Sequence, residues 1–232
     1  MGSAGLELLK TAEMYAADKA AIKSGVSGIT LMENAGAAVA AAIRRRWAPC
    51  PLVVLAGPGA NGGDGWVIAR LLADAGWPVR IALLGNREKL NGDTAHHAAL
   101  WTGDVEAASP NALNGAELIV DALFGAGLAR PLEGAALALV KAMTDHSTPI
   151  IAVDLPSGVN GDTGQVLGAA AQADQTVTFF RQKPGHQLAP GRFLCGEIIT
   201  ADIGAPDSAA SIVQTFQNSP TLRSEESRVG KE

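Results

Sequence analysis

The fold of this chain is best predicted from one stretch, LVVLAGPGANGGDG at residues 52–65. Its first five residues are a continuous apolar run, which is typical of a strand covered on both faces of a parallel sheet. The nine residues that follow are rich in glycine and lead into a helical pattern at residues 66–75, which Gly76 ends. A strand, a glycine-rich loop and a helix in this order indicate a βαβ unit.

The same alternation continues along the chain. Short apolar runs predict further strands at residues 79–84, 118–121, 149–154, 175–180 and 197–201. Helical spacing of apolar residues predicts helices at residues 8–23, 29–47, 93–101 and 135–143. Together these segments predict an α/β protein with a three-layer α/β/α Rossmann-like fold, a mostly parallel sheet and right-handed crossovers.

The chain shows no internal repeat and no linker-like stretch, so we predict one domain at residues 1–206. From residue 207 onward Ser, Asn and Gln accumulate, and the last ten residues are charged without apolar periodicity. We therefore expect residues 207–232 to form a disordered tail or a linker.

Composition excludes several classes of protein. Hydrophobic residues make up 47% and charged residues 18% of the chain, which excludes a wholly disordered protein. The formal net charge of −5 argues against a surface that binds nucleic acid by bulk electrostatics. Cys50 and Cys195 form no CxxC motif, and neither a membrane-length apolar run nor a secretion signal is present. These features predict a cytoplasmic protein that binds neither nucleic acid nor membrane.

The glycine-rich loop at residues 57–65 contains a nominal GxGxxG at Gly57, Gly59 and Gly62, which alone is weak support for dinucleotide binding. Asp64 stands where a helix N-terminus would receive phosphate, and its carboxylate would repel that anion. The next predicted strand ends without an acidic residue to bind a ribose. An NAD-dependent dehydrogenase is therefore disfavoured. Asp64 keeps two interpretations, a cap for the following helix or a polar group in a site.

Two further carboxylates, Asp121 and Asp154, each end an apolar run and precede turn residues. Each alone is as compatible with capping a turn as with chemistry. Because the carboxyl ends of parallel strands meet at one edge of a sheet, the two carboxylates and the loop at residues 57–65 favour a shared polar crevice. Asn61, Asp121 and Ser157 would supply oxygen ligands without His or Cys, which favours a monovalent or alkaline-earth cation over zinc.

Lys183 and His186 follow the predicted strand at residues 175–180 and could reach the same crevice. The alternative is a solvated loop with a turn at Pro184 and Gly185.

Five motifs in this order resemble the N-terminal YjeF domain, the NAD(P)H-hydrate epimerase family: LMENAG at 31–36, AGPGANGGDG at 56–65, DALFG at 121–125, VDLPSG at 153–158 and KPGH at 183–186. The resemblance covers roughly residues 8–206. It implies a Rossmann-like fold and an isomerase that repairs damaged cofactor. Such an enzyme interconverts the R and S epimers of hydrated NADH and NADPH, known as NADHX and NADPHX.

The resemblance also implies site residues. Substrate would contact Asp154 and two loops, which consist of Ala60, Asn61, Gly62, Gly63 and Asp64, and of Gly125, Ala126, Gly127, Leu128, Ala129, Arg130 and Pro131. Asp154 would touch the nicotinamide end and is the candidate catalytic acid/base. Asn61, Asp121 and Ser157 would hold one K+ per subunit. Ala60 and Ala126 replace an Asn and a Thr that are common in the family, and we expect these departures to affect affinity more than activity.

The resemblance further implies a homodimer, with the alanine-rich helix at residues 36–43 as a face that could pack closely against the partner. It implies functional coupling to an ADP- or ATP-dependent NAD(P)H-hydrate dehydratase. The alternative function is a non-catalytic YjeF-type binding scaffold associated with nucleotide or RNA. A salt-dependent affinity for RNA without epimerase activity would favour that alternative.

Overall fold

The computed structural model describes residues 6–210 and 213–218. Its helices are α1 Thr11–Lys23, α2 Gly28–Arg46, α3 Ala60–Asp74, α4 Gly92–Ala99, α5 Gly134–Thr144 and α6 Gly191–Leu194. Its strands are β1 Leu52–Ala56, β2 Val79–Leu83, β3 Val105–Ala107, β4 Leu118–Ala122, β5 Ile150–Val153, β6 Gln175–Phe179 and β7 Glu197–Ala201.

Within these residues the strands form one seven-stranded sheet in the order β3-β2-β1-β4-β5-β6-β7, and every neighbouring pair is parallel. The predicted α/β fold with a parallel sheet is confirmed. From β1 the chain moves outward through β2 and β3, then returns to place β4 on the other side of β1. Such a reversal opens a crevice at the carboxyl ends of β1 and β4, the place where open α/β sheets bind ligands.

The central strands are covered on both faces, as continuous apolar runs require. Side chains of β1 alternate between two hydrophobic cores: Leu52, Val54 and Ala56 face one, whereas Val53 and Leu55 face the other. Helices α1, α2 and α3 close the first core, and α5 closes the second. The three predicted layers follow from this alternation.

Three elements differ from the sequence prediction, and one of them, the four-residue helix α6, was not predicted because it is too short to show a helical pattern. Strand β3 was not predicted, because it has only three residues, lies at the sheet edge and exposes most of its side chains. Helix α3 begins at Ala60 rather than at residue 66, so the last six residues of the glycine-rich loop belong to its first two turns. The glycines there conceal the helix start, since glycine is a poor helix former in solution.

Helix α2 packs against α3 within this chain. The two helices approach closely at Gly36, where a side-chain carbon would collide with Val67. The buried face of α2 includes Val39, Ala40 and Ile43. One face of residues 36–43 is thus used inside the domain, whereas Ala37 and Ala38 are half-buried and Ala41 is exposed. The expectation that this helix packs against a partner subunit stays a prediction.

The described part of the predicted tail is attached to the domain. Asp207–Ala210 form a 3₁₀ turn, and Asp207 pairs with Arg181 at 2.8 Å. Backbone hydrogen bonds join Leu8 to Thr215 and Gln217 to Leu6. The expectation of a disordered tail or a linker at residues 207–232 stays a prediction, and 211, 212 and 219–232 lie outside the described residues.

Among the described residues, no single helix is long and apolar enough to cross a membrane; α1 and α2 meet that test only as a pair that bends by 118°.

Candidate active site

A cavity of about 720 Å³ opens at the carboxyl ends of β1, β4 and β5. This volume lies in the range of small-molecule and cofactor sites. Its walls include most of the residues predicted to contact substrate, namely Ala60, Asn61, Asp64, Gly125, Ala126, Gly127, Leu128, Ala129, Arg130 and Asp154. Gly62, Gly63 and Pro131, which were predicted with them, do not line it.

Asp154 follows β5 and faces the cavity with every carboxylate oxygen hydrogen-bonded. Oδ1 accepts from the Lys183 ammonium at 2.7 Å and from the Thr178 hydroxyl at 2.9 Å. Oδ2 accepts from the backbone N–H of Ala126 at 2.8 Å. The side chain of Lys183 is only 3% exposed, so this is a buried ion pair rather than a surface one.

The backbone of Asp154 is strained. Its φ is 66°, a region that non-glycine residues rarely adopt, and the Leu155 N–H donates to the carbonyl of Val153 two residues back. His186 braces this γ-turn: its Nε2 lies 2.8 Å from the Asp154 carbonyl, while its Nδ1 accepts from the backbone N–H of Lys183. Strain held in place by such contacts is common at functional sites. Lys183 and His186 are both buried, so the solvated-loop alternative is wrong.

Electrostatics fix the charge of this group. Burial raises the pKa of Asp154, but the Lys183 ammonium and the hydrogen bonds outweigh burial and bring the pKa to about 2. Burial, together with the Lys183 charge, lowers the pKa of His186 to about 4, so the imidazole is neutral. Asp154 is therefore a permanent carboxylate at physiological pH. Its predicted role as a proton shuttle stays a prediction, and a carboxylate this acidic is a weak base.

Asp121 and Ser157, predicted as ion ligands, lie in direct contact beneath the loop that follows β4. The Ser157 hydroxyl donates to Asp121 Oδ1 at 2.6 Å, and its backbone N–H donates to Oδ2 at 2.8 Å. The same hydroxyl lies 3.2 Å from the Phe124 carbonyl oxygen. Burial raises the pKa of Asp121, although the hydrogen bonds from Ser157 oppose that rise.

Asn61, the third predicted ligand, lies close to Gly125 in the loop that follows β4. A side-chain carbon at Gly125 would lie 2.9 Å from Asn61 Oδ1 and 2.7 Å from Asp154 Oδ2, so both side chains converge there. Asn61 Nδ2 is buried and has no hydrogen-bond partner among the described residues. Among the described residues no cluster of three or more His, Cys, Asp or Glu could hold a metal ion. The available donors are amide, carboxylate, hydroxyl and carbonyl oxygens, which fit a hard cation.

Asp64 does not cap its helix. The N-cap of α3 is Gly59, and Asp64 is the fifth residue, inside the helix. The capping interpretation is wrong, and the carboxyl lines the cavity instead. Burial raises the pKa of Asp64 well above its usual range, and the negative charges of Asp154 and Asp18 raise it further, while Lys183 opposes them.

Gly62 and Gly63, which were predicted to contact substrate together with Asp64, allow close packing of α3. Side-chain carbons at Gly62 and Gly63 would collide with the Gly57 backbone and approach Met32 and Thr94. Their importance is therefore the close approach of α3 to its surroundings.

Comparison with known proteins identifies the family of the chain. Residues 28–185 match the family model described as YjeF-related protein N-terminus. The chain belongs to this family. It is 41% identical to the NAD(P)H-hydrate epimerase of Limosilactobacillus fermentum over 200 residues, which cover 84% of this chain and 96% of that protein. It is 40% identical to the NAD(P)H-hydrate epimerase of Rhodobacter capsulatus over 195 residues, covering 78% of this chain and 91% of that protein.

Other relatives are longer. The bifunctional NAD(P)H-hydrate repair enzyme Nnr of Thermofilum pendens is 41% identical over 213 residues, which cover 87% of this chain but 41% of that protein. The chain thus spans about two fifths of the length of that relative. The crystal structure of the yeast protein ynu0 shares the fold, with a TM-score of 0.73 at 22% identity over 92% of this chain and 96% of that one.

One wall of the site in this YjeF-related domain was missed at the sequence level. Helix α1 contributes a face of the cavity through Thr11, Met14, Tyr15, Asp18 and Ile22. The first of these, Thr11, also donates its hydroxyl to the Ala126 carbonyl at 3.1 Å and so holds α1 over the loop after β4. These five positions share one side of a helix, and the mixture of Asp, Tyr and Met on that side was the available signal.

Proposed function

We propose that this chain is an NAD(P)H-hydrate epimerase, an isomerase that interconverts the R and S epimers of NADHX and NADPHX. The supporting observation is the buried Asp154–Lys183 pair, which faces a cofactor-sized cavity at the sheet's switch point. Relatives that bear this name match the chain over most of their length. A non-catalytic scaffold would have no need of a strained, fully hydrogen-bonded carboxylate in a cavity.

The chemistry of inversion suits such a site. C6 of the hydrated ring carries the hydroxyl next to the ring nitrogen, and inversion requires that this hydroxyl leaves and returns or that the ring opens and closes. Loss of the hydroxyl places positive charge on the ring. The fixed negative charge of Asp154 would stabilise that charge without reorganisation, because its hydrogen bonds already hold it.

The rest of the substrate would extend towards the loop after β4. Lys183 and Arg130 are the cations among the described residues that line the cavity, and Lys183 is already paired. Arg130 is exposed and has no ion pair with a described residue. We assign the substrate phosphates to Arg130, which can bind two oxygens of a phosphate at once.

The proposed ion is K+, held by Asn61, Asp121 and Ser157. When bound, it supplies positive charge that offsets the buried Asp121 carboxylate and fixes the loops after β1, β4 and β5. The same proposal includes a homodimer, functional coupling to an ADP- or ATP-dependent dehydratase, and a cytoplasmic location. Light scattering of the purified chain measures whether it is a homodimer.

The test uses an S-specific dehydratase as the reporter. With excess dehydratase, a mixture of NADHX epimers is converted to NADH in two phases: the S epimer reacts fast and the R epimer slowly. We expect the folded chain to accelerate the slow phase, because it would convert the R epimer to the S epimer. The same assay in K+ and in tetramethylammonium buffers tests the ion, and NADPHX in place of NADHX measures preference. A slow phase that the chain leaves unchanged would contradict the proposed function.

A further inference from the structure

Asp64 is a buried carboxyl group that the mechanism above does not use. The residue is 8% exposed and lines the cavity, and it has no hydrogen bond or ion pair with any described residue. A buried polar group without a partner is costly, whereas one that faces a ligand cavity can be satisfied by the ligand. The carboxyl therefore points to a polar group on the substrate.

Asn61 strengthens this inference. It lies three residues before Asp64 on α3, so the two side chains share one side of the helix. Its Nδ2 is also buried, and no residue that the structure describes forms a hydrogen bond with it. Two unpartnered polar groups on the same helix side at one cavity indicate a site that awaits polar atoms of a ligand.

The charges around Asp64 favour its neutral form. Three other carboxylates line the same cavity: Asp18 of α1, Asp93 of α4 and Asp154. Glu33 of α2 forms a salt bridge with Arg70. Lys183, the cation whose charge acts on Asp64, is bonded to Asp154. An ionised Asp64 would be buried among carboxylates without a counter-ion of its own, and burial accordingly raises its pKa.

We propose that Asp64 is the catalytic acid of the epimerase, which meets the substrate as a neutral carboxylic acid and donates its proton to the C6 hydroxyl as that group leaves. This proposal rests on the proposed function. It gives the two carboxyl groups different roles, because their environments differ: Asp154 is paired with Lys183 and stays charged, whereas Asp64 has no counter-ion and exchanges the proton.

The step balances in atoms and charge. The C6–O bond breaks with its electron pair on oxygen, the Asp64 proton joins that oxygen, and water is released. The ring nitrogen supplies an electron pair to C6 and becomes a planar iminium cation, opposite the carboxylate that remains on Asp64. Water then adds to either face of C6 and returns its proton to Asp64, so both epimers form and no proton is consumed.

The first experiment compares Asp64→Asn with Asp74→Asn. Both substitutions lie on α3, but Asp74 is at its exposed end and outside the cavity. We expect Asp64→Asn to lower kcat by about 10²- to 10⁴-fold with little change in KM, the usual range for a lost general acid. Asp74→Asn should match the wild type. Because Asn is neutral and nearly the same size, the thermal unfolding temperature of Asp64→Asn should not fall.

The second experiment separates acid catalysis from a structural role. Wild-type kcat should decline as pH rises and Asp64 ionises, and this decline should be absent in Asp64→Asn. Formic or acetic acid should partly restore Asp64→Ala, with a greater effect at lower pH, because the protonated acid is the active form.

Three results would overturn the inference or its basis. A kcat of Asp64→Asn within about threefold of wild type rejects the role of Asp64 while epimerase activity stands. The role of Asp64 is also rejected if no acid restores activity to Asp64→Ala and if Asp64→Asn, although less active, keeps the pH profile of the wild type. An inactive wild-type chain rejects the proposed function itself.

Discussion

The side chains of Asp154 and Lys183 depend on each other. Lys183 has its ammonium 2.7 Å from Asp154 Oδ1 and 2.9 Å from the Thr178 hydroxyl, and it is 2% exposed. Neither charge could be buried here alone, since an isolated ion in a protein interior is strongly unfavourable. The site is therefore a unit of opposite charges rather than a single acid.

We predict that Lys183→Met lowers the free energy of unfolding by roughly 3–5 kcal/mol at neutral pH, because it leaves a buried carboxylate without its counter-ion. Urea unfolding followed by circular dichroism measures this change. The control is the double variant Lys183→Met with Asp154→Asn, which removes both charges and should recover much of the loss. A single variant as stable as the wild type would contradict the prediction.

At the residue scale, sequence could predict only part of this site. Asp121 and Asp154 are visible because each interrupts an apolar run at its end. The contact between Lys183 and Asp154 is not visible, because 29 positions separate them and the contact depends on β5 and β6 being neighbours. Asp18 is hidden for a similar reason: an acidic residue on a helix is usually solvated, and only the packing of α1 over the loops makes it part of the cavity.

At the scale of elements, the contact between α2 and α3 positions Asp64. A side-chain carbon at Gly36 would meet Val67 and would also lie 3.0 Å from the Asp64 carbonyl oxygen. The two helices can therefore approach closely only because α2 carries glycine at this point. A larger residue must move α3, and with it the predicted acid.

We predict that Gly36→Leu destabilises the domain by about 1–3 kcal/mol through overpacking and reduces epimerase activity by displacing Asp64. Thermal unfolding and the dehydratase-coupled assay measure the two effects. Ala41→Leu is the matched control, because Ala41 is exposed on the same helix. If Gly36 instead faced a partner subunit, the substitution would change the oligomeric state and leave the stability of the isolated domain intact.

The elements themselves were largely predictable because buried parallel strands leave a strong signal. The runs at β1, β4 and β5 are fully buried in the structure and were continuous in the sequence. Edge strand β3 leaves no such signal, since its side chains are mostly exposed. The start of α3 was missed because tertiary contacts, rather than the helix propensity of Asn61, Gly62 and Gly63, stabilise its first turn.

At the scale of the whole molecule, the order of strands and the closing of the chain ends are set by long-range pairing. Leu9 donates its N–H to the Gln182 carbonyl at 2.9 Å, and Leu8 donates to Thr215 at 2.8 Å. The N-terminal segment thus lies between the described C-terminal residues and the segment that carries Lys183. Local sequence holds little information about such pairing, so these contacts of residues 213–218 cannot be predicted from the composition of that segment.

At this scale, His186 makes a contribution to the stability of the folded state that is lost in mild acid. Burial lowers the pKa of this histidine from 6.5 to about 4, so the unfolded chain takes up a proton at a higher pH than the folded domain does. The free energy of unfolding therefore falls as pH drops from about 6.5 to about 4, by on the order of 3 kcal/mol from this group. Urea unfolding across that window measures the slope. His186→Gln should remove the contribution of this group to the slope, whereas His96→Gln, at an exposed position on α4, should preserve it. Equal slopes in the wild type and His186→Gln would show that His186 does not remain neutral inside the fold.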